Sequence, residues 1–315
     1  MRQRLRIPKI TMVLILLSII TISFCARKAP PLSIDRIDPK LNKIQTINEH
    51  HLILYFSEEL DTTKVFSENF TIIGGNETLN IIDLCPGNSP AELFIFTERM
   101  KDTIYEIFGK VVDKSKREGI FKKQFKGISK PDTIAPWIKD FNKGNKNNFF
   151  FLSFSEPVDT NSLRFFILPR KNLFPNWQNL HHVKFRPQTE SDSLCFDTTY
   201  YLYLKEIADL SGNKFGPFVN SITPDLMYHP FFLKGKVFIG DTLLKKDGIA
   251  ILKREYPVGI TLVRNGEFDF EVRDSSKFLL EVITPQYYGF DSVAVGQENI
   301  IRLNTGAVEL DSIID

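Results

Sequence analysis

Three cysteines, two tryptophans and five histidines among 315 residues leave little material for thiol, redox or metal chemistry. His50, His51, His181, His182 and His229 form no His-Glu-x-x-His pair and no His/Cys cluster at ligand spacing. Gly-x-Ser-x-Gly is absent, so no serine sits on the sharp turn that exposes a nucleophile. No Gly-Lys pair has the glycine spacing of a phosphate loop. Cys85 and Cys195 stand in no nucleophile motif and at non-matching places, so both are expected to be free. Cys195, in Leu194-Cys195-Phe196, reads as a buried small apolar residue, and Cys85, before Pro86-Gly87-Asn88, as part of a turn. The expectation is a non-enzymatic chain with no catalytic residue, cofactor or metal.

Charge of one sign is lacking as well. The formal +2 becomes −2 once Arg2, Arg4, Arg6 and Lys9 are set aside with an N-terminal export segment, which leaves no electrostatic case for nucleic acid. A membrane-length apolar run is also missing. Ile10 to Phe24 spans 15 residues and carries Thr11, Ser18, Thr21 and Ser23, which suits the core of a signal peptide, whereas a spanning helix needs about 20 apolar residues. No segment sustains a 3.6-residue apolar period, so helices longer than a turn are not expected.

What the chain has is phenylalanine, 28 residues of it, and a repeat. Phe56-Ser57-Glu58-Glu59-Leu60-Asp61-Thr62 returns as Phe154-Ser155-Glu156-Pro157-Val158-Asp159-Thr160. Each copy ends one apolar run, Leu52–Phe56 or Phe149–Phe154, and precedes another, Asn69–Ile72 or Phe165–Leu168. Asp102-Thr103-Ile104-Tyr105 recurs as Asp197-Thr198-Thr199-Tyr200. Val112-Asp113-Lys114-Ser115 recurs as Ala208-Asp209-Leu210-Ser211, where Gly212-Asn213 completes a turn. Short apolar runs punctuated by turn residues, repeating at the length of one sandwich domain, predict an all-β chain with two units, residues 33–130 and 131–224. In the first unit the expected strands are Ser33–Ile37, Leu52–Phe56, Asn69–Ile73, Asn80–Leu84, Glu92–Thr97 and Thr103–Phe108.

These motifs, in this order and after an opening proline, resemble the bacterial Ig-like domain of the SbsA type found in surface-layer and envelope proteins. The resemblance covers both copies. Residues 228–306 have a different rhythm: Gly235-Lys236-Val237, the turn Lys246-Asp247-Gly248, and Thr261–Phe270 with Asn265-Gly266 as a hairpin signal, closing on Tyr287-Tyr288-Gly289-Phe290. That order resembles the carboxypeptidase regulatory-like, or transthyretin-like, domain, which implies a third sandwich without catalytic activity. Residues 307–315 form an acidic tail.

Ile22-Ser23-Phe24-Cys25 resembles the lipobox of bacterial lipoproteins. The resemblance implies removal of residues 1–24, lipid on Cys25 and a tether over 25–32 stiffened by Pro30-Pro31. Phe24 departs from the small residue usual there, and the alternative is an uncleaved anchor. Ala26 resembles the outer-membrane sorting pattern, which places the anchored chain in the bacterial cell envelope with its domains extracytoplasmic.

Four stretches carry candidate chemistry, three of them acidic and one aromatic. Glu58, Glu59 and Asp61, with Glu156 and Asp159, offer oxygen ligands of the kind calcium takes, as does the run Asp209–Asn213. The competing account has them capping strands and turns. Phe174-Pro175-Asn176-Trp177-Gln178-Asn179 lies where the second copy diverges from the first. There an aromatic among amides suits protein or glycan contact, with Trp177, Asn176, Gln178 and Asn179 as the contact residues. The competing account is that Trp177 fills the core. The functional expectation is a structural or interaction module of the envelope, adhesion-type, with an envelope protein or a polysaccharide as partner. A carbohydrate-binding protein is the alternative.

Overall fold

The computed structural model describes residues 37–75, 77–142, 149–224, 229–306, 308 and 310. Cys25, the signal segment and most of the expected first strand, Ser33–Ile37, lie outside the described residues. No helix among the described residues is long and apolar enough to cross a membrane. The helical elements among the described residues are four three-residue turns, Thr62–Lys64, Ser67–Asn69, Thr160–Ser162 and Glu190–Asp192. All else that is regular among the described residues is strand, and they form an all-β protein of several sandwich units.

The first unit has strands β1 (Leu41–Thr46), β2 (His51–Phe56), β3 (Phe70–Gly74), β4 (Glu77–Leu79), β5 (Ile81–Pro86), β6 (Glu92–Thr97), β7 (Ile104–Val112) and β8 (Glu118–Lys126). They form two sheets, ordered β1-β2-β6-β5 and β4-β3-β7-β8. Period-two burial drives the pairing. Leu52, Leu54 and Phe56 of β2 face inward toward Ile72, Ile95, Ile107 and Val111. Charge hides β8 from a reading of the sequence, because Lys123 interrupts the inward row of Gly119, Phe121 and Phe125 while Ile120 faces out among Lys122 and Lys126. It is nonetheless paired with β7 along its full length. Gly109 of β7 is required by that pairing, since a Cβ there would meet the Phe121 ring at 2.3 Å and Phe70 at 2.8 Å.

The second unit repeats the plan with β9 (Ile138–Asn142), β10 (Phe150–Phe154), β11 (Arg164–Leu168), β12 (Leu173–Asn179), β13 (His182–Pro187), β14 (Tyr200–Ala208), β15 (Lys214–Phe215) and β16 (Phe218–Ile222). One sheet is ordered β12-β13-β10-β9. In the other, β14 pairs β11 on one side and β15 then β16 on the other. Phe150, Phe154 and Phe185 fill its core.

In the third unit the strands are β17 (Phe231–Ile239), β18 (Thr242–Leu243), β19 (Gly248–Lys253), β20 (Pro257–Val263), β21 (Glu267–Val272), β22 (Phe278–Ile283), β23 (Tyr287–Val293) and β24 (Asn299–Thr305). β17 binds β18, β21 and, in parallel, β24, and β24 pairs at Tyr287 and Tyr288 with β23, which leads on through β22 and β19 to β20 across the core. Asn265 and Gly266 take the expected left-handed turn, at φ 52° and 74°. The hairpin, however, holds only the Arg264–Glu267 bridge before its arms part into opposite layers.

The second and third units share a core. Tyr200, Tyr201, Leu202, Tyr203 and Leu204 of β14 are all buried, a run without alternation, because both faces of this strand are covered. Tyr200, Leu202 and Leu204 point into the second unit, and Tyr201 and Tyr203 join Ile260, Phe268 and Phe270 of the third. The Tyr201 hydroxyl donates to the Glu271 carbonyl, and Ser221 Oγ donates to Glu271 Oε2 at 2.7 Å. In the first unit the places matching Tyr201 and Tyr203 hold Glu106 and Phe108, which stay partly exposed.

Two expectations about cysteine are corrected. Cys195 lies in a non-strand connection and is exposed, because the apolar run around it ends at Leu194, which alone enters the core. Cys85 is in β5 rather than a turn and is buried, which pushes its thiol up to about 12. Both are free.

Candidate functional site

The repeated Phe-Ser-Glu-x-x-Asp-Thr stretch performs the same local work twice. Its serine ends the strand by exchanging bonds with the chain entering the unit. Ser57 N donates to Lys40 O at 2.9 Å and Ser57 Oγ accepts from Lys40 N at 2.9 Å. Ser155 does the same with Trp137, at 2.9 and 3.1 Å. The aspartates Asp61 and Asp159 cap the following turn, accepting from Thr63 N at 3.3 Å and Asn161 N at 3.0 Å. Leu60 and Val158 bridge to Asp113 and Asp209. Glu59 pairs with Lys114 at the surface, a contact that Pro157 removes from the second copy. Asp61, Asp159 and Glu59 are thus occupied by turn and surface contacts, as the capping account expects.

The remaining acids of the second copy converge. Asp132, Glu156 and Asp209 each bring a carboxylate oxygen within 4.8 Å of the others, the one such acidic group among the described residues. Asp209 is buried and already bonded: Oδ1 accepts from Ser211 N and Asn213 N, both at 2.8 Å, and Oδ2 from Asn213 Nδ2 at 2.8 Å. Asn213 Nδ2 also donates to Asp132 O at 3.2 Å, which ties the linker to the turn. Burial, with Asp132 and Asp209 adding negative charge, pushes Glu156 up to about 8. Three carboxylates suit a hard divalent cation, and without one the raised Glu156 favours its protonated form at neutral pH. The first copy places Glu58 and Asp113 at the matching positions. Asp113 is 1% exposed and accepts from Arg117 N at 2.7 Å, while its Oδ2 has no hydrogen-bond partner among the described residues.

This cluster opens onto the junction of the first two units. A cavity of about 230 Å³ there is lined by His51 and Phe94 from one side and Asp132, Trp137 and Glu156 from the other. Desolvation lowers His51 to about 4, so it stays neutral against Phe94 and Phe96. Beside the cavity, His181 Nδ1 lies 2.7 Å from Asp83 Oδ2, with both side chains largely buried. The two adjacent histidines do approach each other, with ring centroids 4.2 Å apart. His181 belongs to the turn before β13, so strand alternation does not separate them. His182, lowered to about 4 by burial and then by His181, meets Ser153 Oγ at 2.8 Å.

Leu173–Asn179 is the edge strand β12, where Pro175 costs no ladder bond that a central strand would need. Trp177 turns inward, joins the second core and stacks on Phe154 with centroids 6.2 Å apart. Gln178 is exposed, Asn176 is half-buried beside it on the outer face, and Asn179 Oδ1 accepts from His181 N at 3.1 Å. The stretch therefore does not present Trp177 among its amides: the indole is on the other face from Asn176 and Gln178. Asp132, Asp83 and Tyr201 were not singled out from the sequence. The only signals for them were the opening Pro131-Asp132 and the unbroken Tyr200–Leu204 run.

No family model matches the chain, and no curated protein matches it. Among solved structures, the S-layer protein rSbsC(31-844) is 12% identical, with 84% of this chain and 41% of that one covered and a TM-score of 0.30. Dimeric latent PorU from Porphyromonas gingivalis is 10% identical over 85% of this chain and 34% of that one, with a TM-score of 0.31. The chicken CNTN1 FN1-FN3 domains are 12% identical over 82% and 99%, with a TM-score of 0.19. The chain spans less than half the length of the S-layer chains it matches.

Proposed function

We propose that this chain is a non-enzymatic lipoprotein of the bacterial cell envelope, anchored in a membrane through lipid on Cys25, the outer membrane rather than the inner. Its three sandwiches serve there as a structural and interaction module, divided as 33–130, 131–224 and 228–306, the last of the carboxypeptidase regulatory-like type. The observation that carries this reading is how the units are joined. Tyr201 and Tyr203 lock the second unit into the core of the third, and His181 with Asp83 latches the second to the first. The contacts between units are built from buried side chains, and Asp209 of the repeat is bonded within its own turn. Its envelope partner is a protein or a polysaccharide. Metabolic labelling with a fatty acid tests the anchor: wild type takes up label and Cys25→Ala does not. Equal labelling of the two defeats it.

The carbohydrate-binding alternative cannot rest on Trp177, whose ring faces the core. What favours it instead is the outer face of the same sheet, where the exposed Phe174 and the half-buried Phe149 and Phe151 lie beside Lys184 and Arg186.

A further inference from the structure

We propose that the outer face of the β12-β13-β10-β9 sheet binds an acidic polysaccharide, one bearing uronic-acid carboxylates, through Phe149, Phe151, Phe174, Lys184 and Arg186. The proposal deepens the interaction-module reading and rests on it.

The strand registers place these side chains together. Lys184 pairs with Asn176 across β12 and with Phe151 across β10, and Phe151 pairs in turn with Asn142. Arg186 pairs with Phe174. Side chains two residues apart on one strand share a face, so two rows run across the sheet, roughly 6.5–7 Å apart. One row holds Asn176, Lys184, Phe151 and Asn142, and the next holds Phe174 and Arg186. None of Phe149, Phe151 and Phe174 belongs to a core, and Phe174 is 60% exposed. These rows lie at the end of β13 away from His182, and so away from the contact that His181 makes with the first unit.

The cations on this face are uncompensated. Lys184 Nζ sits 3.3 Å from the Phe149 centroid and 5.1 Å from that of Phe151. The two rings stand edge to face, 5.2 Å apart. Neither Lys184 nor Arg186 makes an ion pair or a hydrogen bond among the described residues. The rings strip water from the Lys184 ammonium and Arg186 adds like charge, and both effects hold it below the ordinary lysine range. An anion arriving at this face therefore relieves repulsion as well as making contacts. Asp140 is outward on β9 but lies in the row of Ser153 and His182, nearer the first unit.

The partner's chemistry follows from the mixture. The exposed Phe174 ring offers its face to the C–H face of a pyranose ring. The Arg186 fork suits a carboxylate in two-pronged geometry, and Lys184 supplies a point charge. Asn176 and Gln178 are amides, each able to donate to and accept from sugar hydroxyls. Two cations are few for the closely spaced phosphates of a nucleic-acid backbone, and among the described residues the face has no stacked row of exposed aromatics for successive bases.

The test uses the full-length protein in detergent micelles with an oligogalacturonate as probe. The neutral comparison is an oligogalactan of the same length, and the nucleic-acid comparison is an oligothymidylate. Wild type is expected to bind the oligogalacturonate at least about 10-fold more tightly than the galactan. Lys184→Gln and Arg186→Gln should each lose about 10-fold, the scale of one charge-assisted contact. Phe174→Ala, at an exposed ring, should weaken binding with its melting temperature unchanged. The proposal is overturned by absent binding at millimolar probe, by equal affinity for the galactan, by retained affinity in both cation variants, or by tighter binding of oligothymidylate with the same loss in the variants. Fatty-acid labelling of Cys25 is unaffected by any of these outcomes, so failure here is separable from failure of the anchored-module reading.

Discussion

His181 Nδ1 stands 2.7 Å from Asp83 Oδ2, and the two residues belong to different sandwiches. Both side chains are largely withdrawn from water, so neither can exchange its partner for solvent without the units parting. Removing either partner should cost about 1–3 kcal/mol, the penalty of orphaning a buried polar group. Urea unfolding of Asp83→Ala, His181→Ala and the double variant measures it. A coupling energy above about 0.5 kcal/mol is expected, and strict additivity would show that the contact does not link the units.

Glu156 should give the protein a pH dependence that runs against the usual direction for a carboxylate. Its folded value is raised from 4.5 to about 8 by burial and by Asp132 and Asp209. A group of that kind stabilises the fold fully below its unfolded value, and the contribution is lost as pH rises through the folded one. His51 and His182, both lowered from 6.5 to about 4, act in the opposite sense and only below about pH 6.5. Between pH 6.5 and 8, then, wild-type stability should fall with rising pH. Glu156→Gln, which keeps the shape and cannot ionise, should flatten that slope. A slope unchanged by the substitution would place the titrating group elsewhere.

The joint between the second and third units makes a different demand. A Cβ on Gly259 would come 2.9 Å from Cε2 of Tyr201, closer than the ring can accept without shifting. Gly259→Ala should therefore cost about 1–3 kcal/mol, the usual range for overpacking a filled core. Tyr201→Ala should relieve most of that cost when combined with it. Because Tyr201 and Tyr203 lie in the third unit's core, the two units should melt in a single transition in the wild type. Calorimetry that resolves two transitions for them would contradict a shared core.

The fold was legible in the sequence to the extent that alternation and repetition carry it. Phe56 and Phe154, read as matching strand ends, are 5% and 1% exposed at equivalent places in two sandwiches. β8 was missed because its lysines mask a period that only its partner strand completes. The junctions were illegible for another reason: local pattern says which face a residue takes but not what arrives there from elsewhere in the chain. Asp83 and His181 are 98 residues apart, and nothing near either one announces the other. The Tyr200–Leu204 run was the one visible trace of a junction, because a strand without alternation must be covered on both sides. The recognition stretch was half legible. Its divergence from the first copy was real, but a strand sends alternate side chains to opposite faces, and that separates Trp177 from Asn176 and Gln178.

Trp177 carries the last prediction, which sets core against surface. Its ring stacks at 28° on Phe154, which is buried at the end of β10, and it packs against the second core from an edge strand. An indole in that position contributes burial area and closes the open side of the sandwich, where β12 has no further neighbour. Trp177→Ala should therefore cost about 3 kcal/mol or more in urea unfolding, and Phe154→Ala about 3–5 kcal/mol. The two losses should not add, because each ring is the other's wall, and a coupling of about 0.5–1.5 kcal/mol is expected. A surface recognition residue would behave in the opposite way, leaving the melting temperature in place while losing a partner. At temperatures where the variant stays folded, Trp177→Ala should keep whatever binding the outer face supports, since Lys184, Arg186 and Phe174 are untouched. Loss of binding by a fully folded Trp177→Ala, with stability unchanged, would falsify the inward assignment of the ring.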